Sequence, residues 1–199
     1  MKCEVCGKDA VYKCNVCEKL LCVEHTKLRT ICPSCVKKRT FEFVIKKVSD
    51  DKEREKIREF VERFWGEQEQ LTFDRTFKVA ELPAHVAKVK DKIAGFVSFK
   101  DTDDDIIIAA LGILPEYQGS GIGRNLLAKA EAEAKRIHKK RLIVSTSNDD
   151  LPALAFYQSL GFQIYEVKPN VIAEKHGKII RGIGGLPVRD ELRLQKALK

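Results

Sequence analysis

The sequence predicts a mixed α+β domain, a sheet with helices on its faces, preceded by a small cysteine-rich module. Three observations predict it. All seven cysteines of the 199-residue chain fall between Cys3 and Cys35. Beyond them, stretches of strand-like alternation are interleaved with stretches whose apolar residues recur at helical spacing. A glycine-rich turn, Gly119 to Gly123, joins one strand of that second region to a helix.

The module comes first. Residues 1–39 have short apolar steps (Val5, Val16, Leu20, Leu21, Val23) and no long periodic pattern. A chain of fewer than about 40 residues rarely buries enough apolar surface to fold without disulfides or a metal. The opening Met1-Lys2-Cys3-Glu4 develops no apolar run, which predicts no secretory signal and a cytoplasmic protein. Disulfides are rare there. The seven thiols with His25 make eight ligands, the number that two tetrahedral zinc sites use, arranged as the pairs Cys3/Cys6, Cys14/Cys17, Cys22/His25 and Cys32/Cys35. Sites filled by four protein ligands keep no position for substrate, so these metals are expected to be structural.

Charge adds little. The formal net charge is +8, and residues 1–50 contribute 11 Lys and Arg against 6 Asp and Glu. Seven thiolates on two Zn²⁺ would lower both figures by three. Nucleic acid is therefore weakly supported as a partner, and with Tyr12 the sole aromatic before Phe41 there is little to stack on bases. A protein partner for the module is the better expectation. No window approaches the roughly 18 apolar residues of a membrane helix, so no membrane association is expected.

The larger domain is expected over 40–199. Phe41, Phe43 and Ile45 alternate as a strand. Ser49 or Asp50 caps a helix over Asp51–Trp65, with Ile57, Phe60, Val61 and Phe64 on one face. After a loop come strands at Ala84–Val89, Ile93–Phe99 and Asp105–Leu114, joined by short polar turns into an antiparallel meander. Arg124 to His138 is a second amphipathic helix, Leu142–Ser145 a short buried strand, Leu151–Leu160 a helix and Phe162–Val167 a strand. Leu192 and Leu194 alternate in a last strand, with a terminal helix as the alternative. Residues 66–82 and 168–189 carry no motif and read as loops.

The run Leu114-Pro115-Glu116-Tyr117-Gln118-Gly119-Ser120-Gly121-Ile122-Gly123-Arg124 lies between a strand and a helix. Glycines let the backbone approach a ligand, and a helix N-terminus favours an anion, which together describe a pyrophosphate cradle, with a tight strand-to-helix turn as the alternative. A P-loop would need Lys and Ser or Thr after the last glycine, where Arg124 and Asn125 stand; a dinucleotide fingerprint would need G-x-G-x-x-G in a parallel unit. With Gln118, Gly121 and Gly123 the segment resembles the Q/R-x-x-G-x-G/A coenzyme A loop of the GNAT (GCN5-related) N-acetyltransferases. The block Asn148 to Phe162, containing Phe156-Tyr157-Gln158-Ser159-Leu160-Gly161-Phe162, resembles the late F-Y-x-x-x-G-F motif of the same family.

That resemblance, covering 41–199, implies a central, mostly antiparallel sheet flanked by helices and an acyltransferase that passes the acetyl group of acetyl-CoA directly to an amine acceptor, a small molecule or a protein. It implies that Leu111, Gly112, Ile113 and Leu114 pair with the pantetheine arm and that Gln118, Gly119, Ser120, Gly121, Ile122, Gly123 and Arg124 form the pyrophosphate loop. Tyr157 matches the family's usual general acid toward sulfur; packing beside Phe156 and Phe162 is its bland alternative. Asp150 stands where many relatives carry a cofactor-contacting Asn, and Asn148 shares that expectation. The usual acidic base on the strand before the loop has no match, since Ile106–Leu114 contains no acid. A CoA-binding regulator or a zinc-finger adaptor therefore remain alternatives. The cysteine module resembles B-box-like cross-brace zinc fingers, which implies one site of Cys3, Cys6, Cys22 and His25 and another of Cys14, Cys17, Cys32 and Cys35, with sequential pairing as the alternative.

Overall fold

The computed structural model describes residues 2–10, 12–13, 19–22, 40–65 and 68–198, and the chain divides into two compact units, Met1–Arg39 and Thr40–Lys199. In the first unit a two-stranded antiparallel sheet pairs β1 (Tyr12–Lys13) with β2 (Leu20–Leu21). A tight turn precedes it: Gly7, at φ +75°, donates its N–H to the Cys3 carbonyl at 2.8 Å, and the Cys3 N–H donates to Lys8 O at 2.7 Å. Glu4 ties the turn to β2 twice, its N–H donating to Leu20 O and its carboxylate accepting the Leu20 N–H, both at 3.0 Å. Cys14, Cys17, His25, Cys32 and Cys35 lie outside the described residues.

In the second unit the elements run β3 (Val44–Lys47), α1 (Asp51–Trp65), β4 (Glu69–Thr72), β5 (Arg75–Lys78), β6 (Ala84–Val89), β7 (Lys92–Asp101) and β8 (Asp105–Ile113). They continue with α2 (Ile122–Arg136), β9 (Arg141–Ser147), α3 (Leu151–Ser159), β10 (Gln163–Lys168), α4 (Val171–Lys175), β11 (Ile180–Arg181), β12 (Pro187–Val188) and β13 (Glu191–Ala197). Seven strands form the main sheet in the order β10-β13-β9-β8-β7-β6-β3. Every pairing is antiparallel except β8 with β9, which α2 connects. This is the mostly antiparallel α+β sheet that the resemblance implies. Among the described residues no helix is long and apolar enough to cross a membrane.

The two faces of the sheet carry separate cores. On one, Ile122, Leu126, Leu127, Ala130 and Ala134 of α2 and Tyr157 of α3 pack on Val97, Ile106, Ile108 and Val144. On the other, Ile57, Phe60 and Val61 of α1 pack with Phe77, Phe96, Ile107 and Ile143. Asp50 caps α1, its Oδ1 accepting the Glu53 N–H at 2.7 Å. The last segment is a strand because Leu192 to Gln195 sit between β9 and β10, where only extended backbone pairs on both sides.

The stretch 66–82 is not a featureless loop. It holds the hairpin β4–β5, whose two turn residues, Phe73 and Asp74, have φ of 52° and 58°. A two-residue hairpin turn with positive φ at both positions, as here, usually announces itself with Asn-Gly or Asp-Gly. Phe-Asp gives no such signal.

One irregularity sets up the site. Ser98 pairs with Ala110 but Phe99 pairs with Ile108, so Ala109 is an extra residue in β8. This bulge puts Ala109 and Ala110 into the same core, where strict alternation would separate them. The parallel pairing of β8 with β9 ends just there, at Ile108 and Val144, while pairing with β7 continues to Ile113. The opposite end of the parallel pair is closed by a two-bond ion pair, Arg141 Nε to Asp105 Oδ1 at 2.9 Å and Nη2 to Oδ2 at 2.7 Å.

Gly95 lies across from Ile113, and a Cβ there would stand 2.5 Å from Ile113 Cδ1 and 2.6 Å from the Gly112 carbonyl oxygen. Replacing Gly95 by Ala is expected to cost about 1–3 kcal/mol of stability through overpacking against backbone. Denaturant unfolding checks this, and an unchanged midpoint would contradict such a close approach.

Candidate active site

Beyond the bulge, β8 is paired on its β7 side only, and the opening between it and β9 forms the mouth of a cavity of about 270 Å³. Ala109, Ala110 and Leu111 line one wall and Ser145, Thr146 and Ser147 the other. Asp150, Ala153 and Tyr157 of the α3 region lie along it, and α4 contributes Ile172 and Lys175. Thr72 of β4 and Glu191 of β13 also line it.

The glycine turn continues directly from β8. A single 3₁₀ turn, Pro115–Tyr117, reverses the chain; then Gly119 and Gly121 take φ of +79° and +87°, values costly for any residue with a Cβ. The first bond of the α2 ladder is from the Asn125 N–H to Gly121 O at 3.1 Å, so the N–H groups of Ile122, Gly123 and Arg124 precede the ladder. Gly121 supplies no side-chain cap and the first turn holds no acid, so the dipole end is left for an anion. Gln118 braces the turn, its Nε2 donating to Ile113 O at 3.1 Å, and Ser120 Oγ donates to Tyr117 O at 2.6 Å. Residues 111–114 and 118–124, expected from the sequence to meet the cofactor, thus lie on one continuous strip, a strand edge running through a 3₁₀ turn into a helix N-terminus. α3 backs it, with Phe156 of that helix beside Gly123.

Tyr157 lines the cavity and is also core, its ring edge-on to Phe156 (centroids 5.3 Å) and Phe162 (5.5 Å). Burial, reinforced by the Asp150 charge, pushes its phenol well above the usual range. Asp150 Oδ1 caps α3 by accepting the Ala153 N–H at 3.0 Å. Burial pushes its carboxyl up, the Ala153 bond opposes this, and the Asp149 charge adds to the rise. Asn148 is turned elsewhere: its Oδ1 accepts the N–H groups of Arg189 and Asp190, both at 2.9 Å, and its Nδ2 donates to Pro187 O at 2.7 Å. It holds the 187–190 segment, and Asp150 is the one of the two that lines the cavity.

A buried polar network that sequence reasoning missed closes the far side. Glu191 and Arg193, 3% and 5% exposed, project from β13. Glu191 Oε2 accepts from Arg193 Nε at 2.9 Å, and its Oε1 accepts the Phe73 N–H at 3.0 Å. The same guanidinium contacts Asp74 at 2.9 Å and Glu166 at 3.0 Å and lies over the Phe73 ring, 5.1 Å from its centroid. Thr72 Oγ1 stands 2.6 Å from Ser145 Oγ and donates to Glu191 Oε1 at 3.4 Å. The only signal in the sequence was a charged run, Arg189-Asp190-Glu191, ahead of the last strand, which reads as ordinary solvated surface.

In the first unit the Sγ atoms of Cys3, Cys6 and Cys22 all lie within 4.8 Å of one another. Cys3 and Cys22 are buried and Cys6 is exposed. Burial pushes the Cys3 thiol up, but hydrogen bonds from Cys22, Val5 and Cys6 outweigh it and hold it at about 6. The trio joins the first and third of the four ligand pairs.

Comparison with known proteins agrees with this geometry. The model of the Acetyltransferase (GNAT) family matches residues 48–162. The uncharacterized protein YdhI of Bacillus subtilis is 30% identical over 148 residues, covering 71% of this chain and 91% of YdhI. The L-amino acid N-acyltransferase MnaT of Escherichia coli is 26% identical over 98 residues, 47% of this chain and 57% of MnaT. Among solved structures, a GNAT family acetyltransferase from Elizabethkingia anophelis with acetyl-CoA bound superposes with a TM-score of 0.59 at 19% identity, covering 78% of this chain and 98% of that one. A strand that parts from its neighbour at a bulge and runs into an uncapped glycine turn is thus found in a chain whose sequence matches that family, and the chain belongs to the GNAT acetyltransferases.

Proposed function

We propose that the chain transfers the acetyl group of acetyl-CoA to the nitrogen of an amine. The observation that carries this reading is the strand end 109–113, bonded to β7 alone and leading into the N-terminus of α2. Pantetheine is an extended chain of amides and can add to such an edge as a strand would, through Leu111, Gly112, Ile113 and Leu114. The N–H groups of Gly119, Ser120, Gly121, Ile122, Gly123 and Arg124 suit the pyrophosphate, with Gln118 bracing their turn. Asp150 lines the arm's path; Asn148 acts at one remove, by fixing the adjoining segment.

Tyr157 is assigned the leaving-group side. Its raised phenol stays protonated at neutral pH. It is a weaker acid than a thiol, whose ordinary pKa is about 8.5, so it acts first as a hydrogen-bond donor to sulfur as negative charge develops there. Replacing Tyr157 by Phe is expected to lower kcat about 10–100-fold while the acetyl-CoA dissociation constant stays within about twofold. Calorimetry beside steady-state kinetics separates the two, and loss of binding with unchanged turnover would remove the role.

Acetyl-CoA titrated into the wild type is expected to bind with one-to-one stoichiometry, and into Gly121→Glu, which sets a carboxylate in the anion strip, not at all. Equal binding by both, or by neither, would overturn the cofactor assignment. The acceptor is an amine of a small molecule or a protein. L-amino acids head the panel to be tried, because the relative MnaT is an L-amino acid N-acyltransferase.

For the first unit we infer structural zinc, supported by the three thiols within 4.8 Å. Alternate pairing, with His25 as fourth ligand, fits that trio, and Cys14, Cys17, Cys32 and Cys35 would hold a second ion. Such a unit suits a cytoplasmic, reducing setting and a protein partner. Metal analysis of the purified chain is expected to give two zinc ions, falling to one in Cys6→Ser. A metal content unchanged by that substitution would exclude the assignment.

A further inference from the structure

We propose that Glu191, which lines the cavity and is linked to Ser145 through the Thr72 hydroxyl, takes, along those two hydroxyls, the proton that the acceptor ammonium must lose before it attacks. This rests on the acetyl-transfer reading above and supplies the base that β8 does not carry.

The hydrogen bonds connect the three residues in a row. Thr72 has one hydroxyl hydrogen, and its Oγ1 lies 3.4 Å from Glu191 Oε1. Either oxygen can donate in the 2.6 Å contact between Thr72 and Ser145, and the relay uses the arrangement in which Ser145 donates, which leaves the Thr72 hydrogen for Glu191. Ser145 Oγ keeps lone pairs to accept a proton from a bound ammonium. Its position is apt, since Ser145 directly follows Val144, the last residue of β9 paired with β8, and lines the cavity beside Ala109 and Ala110. The Thr72 to Glu191 step is long, as catalytic hydrogen bonds often are before substrate tightens them.

The Arg193 guanidinium beside Glu191 has further carboxylate partners. Arg193 is buried, and removing a lone carboxylate partner would leave an uncompensated charge. Here Asp74 from the hairpin turn and Glu166 from β10 also contact that guanidinium, so it stays paired when Glu191 is protonated. Glu166 further pairs with Lys168. Lys175 and His176 at the end of α4, and Asp150, face the same cavity.

The step balances. An ammonium N–H bond breaks and its proton passes to Ser145 Oγ as the Ser145 proton moves to Thr72 Oγ1 and the Thr72 proton to Glu191 Oε1. The freed nitrogen pair forms the N–C bond to the acetyl carbonyl carbon. The C–S bond breaks with its electrons on sulfur, and the second N–H proton leaves with the thiolate as the CoA thiol. Glu191 returns its proton to solvent through the cavity after the product departs.

The test follows thiol release from saturating acetyl-CoA with concentrated methylamine, a primary amine needing no special contacts, as a function of pH. Thr72→Val, Ser145→Ala and Glu191→Gln are expected to lose about 10–100-fold in kcat at pH 7, with KM for acetyl-CoA within about twofold. All three are expected to recover toward wild type as pH nears the ordinary range of an alkylammonium, about 10.4, where free amine needs no base. A deficit equal at every pH, or full activity of Thr72→Val and Ser145→Ala at pH 7, overturns the relay. Thr72→Val and Ser145→Ala keep the Glu191–Arg193 pair, so they decide the matter if Glu191→Gln misfolds. Wild-type binding of acetyl-CoA without thiol release to methylamine or any L-amino acid would overturn the acetyl-transfer reading itself, which the variants' pH profile does not touch.

Discussion

Everything in the larger unit turns on β8 being bonded to β7 along its length but to β9 over only four residues, Asp105 to Ile108. A central strand with one free edge is costly unless something else satisfies its backbone. The extra residue Ala109 makes the parting local, because a bulge bends one strand without disturbing the far pairing. The Arg141–Asp105 pair anchors the closed end. The result is a slot in the middle of a seven-stranded sheet, braced on one face by α2 and α3 and on the other by α1.

The walls of that slot are unequal. On the α2 side the chain offers backbone N–H groups and a helix dipole, suited to an extended, anionic ligand. On the opposite side the β4–β5 hairpin, β9 and the start of β13 bring side chains: Thr72, Ser145, Glu191 and Arg193. Burying a guanidinium with three carboxylates adds little to stability, since desolvation offsets most of the attraction. What it does is fix the hairpin tip, through Phe73 and Asp74, against the last strand.

The two units rest on different sources of order. The second has two apolar cores and a seven-stranded sheet. The first, among its described residues, has Leu21 and a few backbone bonds around three clustered thiols. A unit that short has little apolar surface to bury, so the spacing of its cysteines was the strongest signal it carried in the sequence.

Local features were legible in the sequence because local physics made them. The α1 helix followed from the spacing of Ile57, Phe60 and Val61 behind the Asp50 cap, the antiparallel meander from alternation and polar turns, and the anion strip from glycines that only a tight turn before a helix requires. Tyr157 was reached through a motif, and its packing beside Phe156 and Phe162 stood as the alternative to its chemical role, though the direction of its pKa was not legible. The Ala109 bulge, the Phe73-Asp74 hairpin turn and the meeting of Thr72, Ser145 and Glu191 were decided by tertiary structure alone. Those three residues are 73 and 119 positions apart from Thr72 outward, on strands whose partners no periodicity specifies. Periodicity records which face of an element is buried; it does not record which polar atom on another element that face will meet.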